Sequence, residues 1–116
     1  MEARLDVTIM SGVDDGTVFR ITSEEGAAIL PDGTWVVSIG RHDDNDICLI
    51  NDTFVSRHHA RIHCREDGLW LEDCGSTNGT YIETPIEDLQ IDQIAPIAPG
   101  QLFRVGRTWI CVKPAD

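Results

Sequence analysis

The sequence predicts an all-β protein that folds as a two-sheet β-sandwich. Apolar and polar residues alternate over short runs, which is the period of a strand with one buried face. Turn-forming sequences rich in Gly, Asp and Pro separate these runs at regular intervals. No stretch of helical length combines a helical apolar period with capping residues. Together the three observations favour a sandwich over a helical or mixed fold.

The predicted strands follow one another along nearly the whole chain. The first alternates apolar Leu5, Val7 and Ile9 with polar residues, and the next two follow turn sequences that contain Gly16 and Gly33. Turns around residues 66–68 and 106–107 separate later strands. The predicted strands are 5–9, 18–21, 35–39, 47–49, 59–65, 69–73, 80–83, 102–105 and 109–112.

The length predicts one domain. A chain of 116 residues can bury its own core without disulfides or a metal ion. We expect residues 1–116 to form a single sandwich with its core at about 5–113. The stretch 84–100 contains three prolines, and we expect it to be irregular, partly strand, and packed on the sandwich.

The composition is strongly acidic. A formal net charge of −11 disfavours attraction to a nucleic-acid backbone or to anionic lipid. No apolar run approaches the roughly 18 to 20 residues that a membrane-spanning helix needs. The first residues lack the basic and then apolar order of a secretory signal. We therefore expect a cytoplasmic domain whose partner is neither nucleic acid nor a membrane.

The cysteines and tryptophans are expected to serve the core. The cysteines, which lack the spacing of a zinc site, are Cys48, Cys64, Cys74 and Cys111. We expect reduced, buried thiols and neither a metal ion nor another cofactor. Trp35, Trp70 and Trp109 are expected in the core or at strand edges rather than around a ligand.

Three short segments carry the functional signal. They are Gly40 with Arg41, residues 56–59 (Ser-Arg-His-His) and residues 76–80 (Ser-Thr-Asn-Gly-Thr). Each is a turn-forming sequence between strand-like runs, so it places arginines and small hydroxyl or amide side chains on loops. An arginine fork donates charge-assisted hydrogen bonds to phosphate oxygens, and Ser, Thr and Asn add short-range polar groups. These loops predict a site for an anion and a piece of peptide backbone.

The ordered set of motifs resembles the forkhead-associated (FHA) domain family. The resemblance runs through residues 39–49, 55–60 and 73–80 to the closing stretch 99–106, and covers roughly residues 5–113. It implies a sandwich of about eleven strands with its binding loops at one end. It also implies a phosphothreonine-containing protein or peptide as partner, and a Ser/Thr kinase that writes the mark.

The resemblance assigns roles to individual residues. Arg41 and Ser56 would contact the phosphate, and Arg57 the phosphate or nearby peptide backbone. Thr77 and Asn78 would complete the site, with Asn78 holding the peptide main chain. The residues that would support the site structurally are Gly40, His59 and Gly79. Phe54 and His58 are candidates for peptide selectivity, and Phe54 predicts an apolar preference at the third residue after the phosphothreonine.

Each of these residues also has a purely structural interpretation. Arg41 could pair with one of the aspartates at positions 43, 44 and 46, and Ser56 could be only a turn hydroxyl. Asn78 and Gly79 have the sequence of a type I′ hairpin turn, which we expect in addition to binding. Asn45 is expected to form a turn without contacting ligand.

Two other functions remain open from the sequence. A Ser/His hydrolase would use Ser56 and His59, with His58, His63 and Asp73 nearby in sequence. Strand alternation places His58 on the face opposite His59 and His63, which favours a non-catalytic protein. The second is an FHA-like interaction or scaffold domain that binds without phosphate, which would tolerate loss of Arg41.

Overall fold

The computed structural model describes residues 3–23 and 28–115, and these form twelve strands. Residues 3–23 contain β1 (Arg4–Ser11) and β2 (Val18–Thr22), and all the others lie in residues 28–115. The others are β3 (Ala28–Ile29), β4 (Trp35–Gly40), β5 (Ile47–Cys48), β6 (Ala60–Arg65), β7 (Gly68–Asp73), β8 (Thr80–Glu83), β9 (Asp88–Gln90), β10 (Ile94–Ile97), β11 (Leu102–Val105) and β12 (Thr108–Ala115).

The strands form two sheets, which confirms the predicted all-β sandwich. One sheet has the order β2-β1-β12-β11-β8-β9, and the other has the order β10-β7-β6-β4-β3 with β5 paired to β4. Neighbouring strands are antiparallel except for the short parallel pair of β4 and β5. The count is close to the eleven strands expected from the resemblance.

Side-chain alternation explains how the two sheets enclose one core. In β1, Leu5, Val7 and Ile9 are buried while the residues between them are not. Phe103 of β11 is fully buried and is the largest of the completely enclosed side chains among the described residues. Trp35 belongs to the core, whereas Trp70 and Trp109 are half-buried on strands. The inner faces therefore pack as the sequence period requires.

The proline-containing stretch is more regular than expected. Residues 84–100 contain β9, which pairs with β8, and β10, which pairs with β7. Pro96 lies within β10, and this strand is at the edge of its sheet, where a missing N–H costs no ladder bond. The prediction that this segment is partly strand is confirmed, but the segment contains more strand than expected.

The cysteines are less enclosed than the sequence suggested. All four are free thiols, and each is half-buried rather than in the core. Cys64 packs against the core, and burial raises the pKa of its thiol to about 11. No group of three or more potential metal ligands lies together in the described residues.

The topology brings three loops to one end of the sandwich. The loops are residues 41–46 between β4 and β5, residues 49–59 between β5 and β6, and residues 74–79 between β7 and β8. The β6–β7 turn lies at the opposite end. In the part of the chain that the structure describes, no helix could cross a membrane.

Candidate functional site

Gly40 allows two of these loops to lie side by side. A methyl group at Gly40 would overlap the backbone carbonyl of Arg57 and would lie 2.7 Å from Nδ2 of Asn45. The close approach lets Arg41 donate its backbone N–H to the Ser56 carbonyl at 3.0 Å. The residue is glycine because there is no space for a side chain here.

The guanidinium of Arg41 is not committed to another side chain of the described residues. The nearby aspartates are engaged elsewhere: Asp46 accepts the backbone N–H of Ser38 at 2.9 Å, and Asp44 lies 2.8 Å from Nδ1 of His42. The ion pairs that a structural role would require are therefore not formed. The side chain of Arg41 is half-buried at the loop end, with its donors available to an anion.

Ser56 and Thr77 join two of the loops. The backbone N–H of Thr77 donates to Oγ of Ser56 at 3.1 Å. Oγ therefore acts as an acceptor inside the site, and its own hydrogen is left to donate outward. Thr77 itself is exposed beside this hydroxyl.

Arg57 is exposed, and its backbone is held by Asn45, for which the sequence predicted only a turn. Nδ2 of Asn45 donates to the carbonyl oxygens of Arg57 and His42, each at 2.8 Å. Asn45 is 8% exposed, so these bonds are shielded from water. The expected turn role is correct, but Asn45 also fixes the position of Arg57. A turn asparagine among aspartates gives no sequence signal for that second role.

Asn78 lies against Phe54. Its Nδ2 donates to the Phe54 carbonyl at 2.8 Å, which leaves one amide hydrogen and the amide oxygen for other partners. Asn78 has no positive φ, whereas Gly79 has a φ of +84°. The predicted type I′ turn is therefore wrong, because it needs positive φ at both positions. The loop connects strands of different sheets and is not a hairpin.

Asp73 organises the loop that carries Thr77 and Asn78. Its carboxylate accepts the hydroxyls of Ser76 at 2.6 Å and of Thr80 at 2.7 Å, and also the backbone N–H groups of Gly75 and Ser76. Burial acts to raise the pKa of Asp73, but these hydrogen bonds outweigh it and the net pKa is lowered. Asp73 holds a loop in this arrangement and is not paired with a catalytic histidine.

His59 connects the loops from within. Nδ1 of its fully buried ring accepts the backbone N–H of Ser56 at 2.9 Å, and Nε2 donates to the Gly79 carbonyl at 2.9 Å. Burial lowers the pKa of His59, so the neutral ring is the favoured form. Because backbone groups occupy both nitrogens, the ring is not placed to take a proton from the hydroxyl of Ser56. The geometry does not fit a Ser/His hydrolase.

Asp52 is a second residue that the sequence reasoning missed. It is 4% exposed and accepts three hydrogen bonds, from the backbone N–H of Phe54 at 2.9 Å, from that of Arg107 at 2.8 Å and from the Thr108 hydroxyl at 2.6 Å. It therefore ties the loop of Phe54 and Ser56 to the β11–β12 turn. Arg107 and Thr108 are more than fifty positions away from Asp52 in sequence, so local pattern could not reveal these two contacts.

His58 lies on another flank of the site. It is exposed, with its Nδ1 3.9 Å from the Asp44 carboxylate and its ring centroid 5.8 Å from that of His42. The two candidate selectivity residues therefore have different neighbours: His58 lies beside Asp44, and Phe54 lies beside Asn78.

The fold and the site define a β-sandwich that presents a donor-rich cluster of loops at one end. The sequence model of the FHA domain matches residues 37–106, which include all three loops. The chain belongs to the FHA domain family. This is a family of phosphopeptide-binding modules and not of enzymes.

Sequence relatives are bacterial FHA proteins. The chain is 35% identical over 82 residues to FHA domain-containing protein FhaB of Mycolicibacterium smegmatis, an overlap of 71% of this chain and 50% of the relative. It is 36% identical over 73 residues to the glycogen accumulation regulator GarA of Mycobacterium tuberculosis, or 62% of this chain and 41% of that protein. The chain thus spans about half the length of the relatives it matches.

Solved structures agree with the fold over nearly the whole chain. An FHA domain studied for its phosphothreonine-dependent interactions is 26% identical, with a TM-score of 0.70 and coverage of 97% of this chain and 98% of that one. The FhaA FHA domain, solved with the intracellular domain of Rv3910, is 28% identical, with a TM-score of 0.68 and coverage of 94% and 99%.

Proposed function

We propose that this domain is a non-catalytic module that binds phosphothreonine within an extended peptide. The observation that carries the proposal is a backbone hydrogen bond that joins Arg41, whose guanidinium is uncommitted, to Ser56, whose hydroxyl hydrogen is free to donate. The ring of His59 joins the loop of Ser56 to loop 74–79. The backbone N–H of Arg41 is in turn hydrogen-bonded to the Ser56 carbonyl. Tight binding of a phosphate is favoured by an arginine guanidinium on a loop whose position is already fixed before the ligand binds.

The donor set matches a phosphate monoester. Such a group carries about −1.5 to −2 charge near neutral pH and has three acceptor oxygens. Arg41 can supply a bidentate contact, Ser56 a neutral hydrogen bond, and Thr77 a further hydroxyl. Arg57 adds a second positive charge at the same end of a protein whose net charge is −11. The attraction is therefore local to these loops.

In this proposal, Asn78 binds the main chain of the peptide. One amide hydrogen is used on Phe54, and the remaining hydrogen and oxygen can pair with the main chain of an extended ligand. Such contacts do not depend on the ligand's side chains. The extra methyl of threonine adds about 0.8 kcal/mol where it is buried, roughly a fourfold preference over phosphoserine.

The comparisons support the class of ligand. A solved FHA domain that covers nearly the same length has phosphothreonine-dependent interactions. We propose that the partner is a phosphothreonine-containing protein, that a Ser/Thr kinase writes the mark, and that the domain acts in the cytoplasm. Catalysis forms no part of this function, because His59 is not available as a base for Ser56.

Titration calorimetry with degenerate peptide pools tests the proposal. The protein is titrated with a pool fixed at phosphothreonine, the same pool unphosphorylated, and a phosphoserine pool. We expect binding of the phosphothreonine pool, weaker binding of the phosphoserine pool and none of the unphosphorylated pool. Equal binding of the phosphorylated and unphosphorylated pools would show a phosphate-independent interaction module instead.

A further inference from the structure

Arg107 is placed beside the proposed peptide site by a contact that the sequence did not indicate. The central guanidinium carbon of Arg107 lies 3.8 Å from the centroid of the Phe54 ring. This is within the range of a cation–π interaction. Phe54 is 39% exposed, so the ring and its cation both lie at the surface.

Hydrogen bonds to Asp52 and close packing at Gly106 fix the contact between Arg107 and Phe54. The backbone N–H of Arg107 donates to Asp52 at 2.8 Å, and the same carboxylate accepts the N–H of Phe54. A side chain at Gly106 would lie 2.7 Å from Val55 and 2.9 Å from the Phe54 backbone. The β11–β12 turn is thus held tightly against the loop that carries Phe54 and Ser56.

Phe54 links Arg107 to the residue proposed to read the peptide backbone. Its carbonyl accepts the amide of Asn78 at 2.8 Å, while its ring contacts Arg107. Phe54 also lies two positions before Ser56 in the same loop. The resemblance places it at the third residue after the phosphothreonine, and an extended peptide advances about 10 Å over three residues.

The positive charge of Arg107 is available. Its side chain is exposed and forms no ion pair within the described residues 3–23 and 28–115. The aspartates near its turn have other partners: Asp52 is buried in its three hydrogen bonds, and Asp14 accepts the side-chain amide of Asn51 at 3.1 Å. A ligand carboxylate would therefore meet little competition at this position.

We propose that Arg107 is a specificity-determining residue that selects phosphothreonine peptides with an acidic residue about three positions after the phosphothreonine. This inference rests on the proposed function. Phe54 alone predicts an apolar preference, but the guanidinium stacks on its ring. A ligand carboxylate beside this ring can form a charge-assisted hydrogen bond with the guanidinium, which an apolar side chain cannot do.

Calorimetric titration with four degenerate phosphothreonine pools tests the inference. The pools are fixed at Asp, Ala, Leu or Lys at the third position after the phosphothreonine and are used at low ionic strength. We expect the Asp pool to bind about two- to fivefold more tightly than the Ala pool, and the Lys pool to bind most weakly. The Asp advantage should shrink as salt is added.

Variants identify the residue responsible. Arg107→Gln should abolish the Asp advantage, so that the Asp and Ala pools bind equally, and Arg107→Glu should transfer the preference to the Lys pool. Arg65→Gln is the matched control, because Arg65 also stacks on an aromatic ring, 5.2 Å from Trp70, but at the opposite end of the sandwich. This control should retain the Asp advantage.

The outcomes separate the two proposals. Preference for the Leu pool, or an Asp advantage that survives in Arg107→Gln, overturns the role of Arg107 and leaves phosphothreonine binding intact. Failure of every phosphorylated pool to bind more tightly than its unphosphorylated counterpart overturns the proposed function, and the role of Arg107 with it.

Discussion

The backbone N–H of Thr77 donates to the side-chain oxygen of Ser56 at 3.1 Å, and this bond joins loop 74–79 to loop 49–59. Because the oxygen accepts from inside the site, the Ser56 hydroxyl hydrogen is free to donate to an outside acceptor. The bond thus joins the two loops and leaves the Ser56 hydroxyl to donate to the proposed phosphate.

Replacing Ser56 should weaken phosphopeptide binding. A hydrogen bond to a charged acceptor contributes about 1.5–3 kcal/mol, so we expect Ser56→Ala to reduce affinity for the phosphothreonine pool by about tenfold or more. Ser56→Thr keeps the hydroxyl and is the control, with a smaller loss. Titration calorimetry measures both. An Ala variant with the affinity of the wild type would remove Ser56 from the site.

Gly40 should be intolerant of any side chain. Gly40→Ala would overlap the Arg57 carbonyl and push apart the loops that carry Arg41 and Ser56. We expect a loss of about 1–3 kcal/mol in the free energy of unfolding, together with loss of phosphopeptide binding. Urea denaturation and calorimetry on the same preparation measure the two effects.

Gly16→Ala is the control for that variant. A Cβ at Gly16 meets nothing within 4 Å, so the change introduces only the strain of a φ of +90°. We expect a stability loss of about 1–2 kcal/mol with unchanged affinity. The steric explanation fails if both alanine variants bind the phosphothreonine pool equally well.

Asp52 should contribute to stability through its three buried hydrogen bonds. Asp52→Ala leaves Phe54, Arg107 and Thr108 without an acceptor, and we expect a loss of about 2–4 kcal/mol in the free energy of unfolding. Thr108→Val removes one of these bonds and should cost about 1 kcal/mol. Urea unfolding measures both changes. Equal stability of Asp52→Ala and the wild type would contradict this account.

The sequence predicted the strands with clear alternation and missed the two-residue strand β3. Leu5, Val7 and Ile9 specify β1 because alternate positions must face the core. The two residues of β3, Ala28 and Ile29, are too few to form a pattern, and their pairing depends on the neighbouring β4. Local sequence cannot supply that context.

Some residues of the site could be predicted from the sequence and others could not. The motifs indicated Arg41, Ser56 and Asn78 because loop donors of these types are typical of anion and backbone recognition. The role of Asp52, and that of Asn45 in holding Arg57, went unrecognised because they depend on contacts formed only in the folded chain. The contact between Arg107 and Phe54 joins residues on different loops, and it too could not be inferred from spacing.

The buried His59 should make stability depend on pH. Burial lowers its pKa below the ordinary 6.5, so the unfolded chain binds a proton more readily than the folded one. The free energy of unfolding should therefore fall as the pH drops below about 6.5, until the folded-state pKa is passed. Asp73, whose pKa is also lowered, adds a loss of the same sign at lower pH, below about 3.8.

Comparison of variants isolates the contribution of His59. Urea unfolding at pH 7.5 and pH 5.5 should show a smaller pH effect in His59→Gln than in the wild type. His58→Gln, which changes an exposed ring, is the control. If His59→Gln and the wild type lose the same stability on acidification, the buried neutral imidazole is not the cause.

The titration of Arg41→Ala with the phosphothreonine pool tests the central claim most directly. Because the Arg41 guanidinium has no side-chain partner among the described residues, the variant should fold normally by circular dichroism. It should lose about 2–5 kcal/mol of binding free energy, roughly thirtyfold or more in affinity. Arg20→Ala, on the edge strand β2, should bind like the wild type. A folded Arg41→Ala protein that binds the phosphothreonine pool as tightly as the wild type would contradict the account.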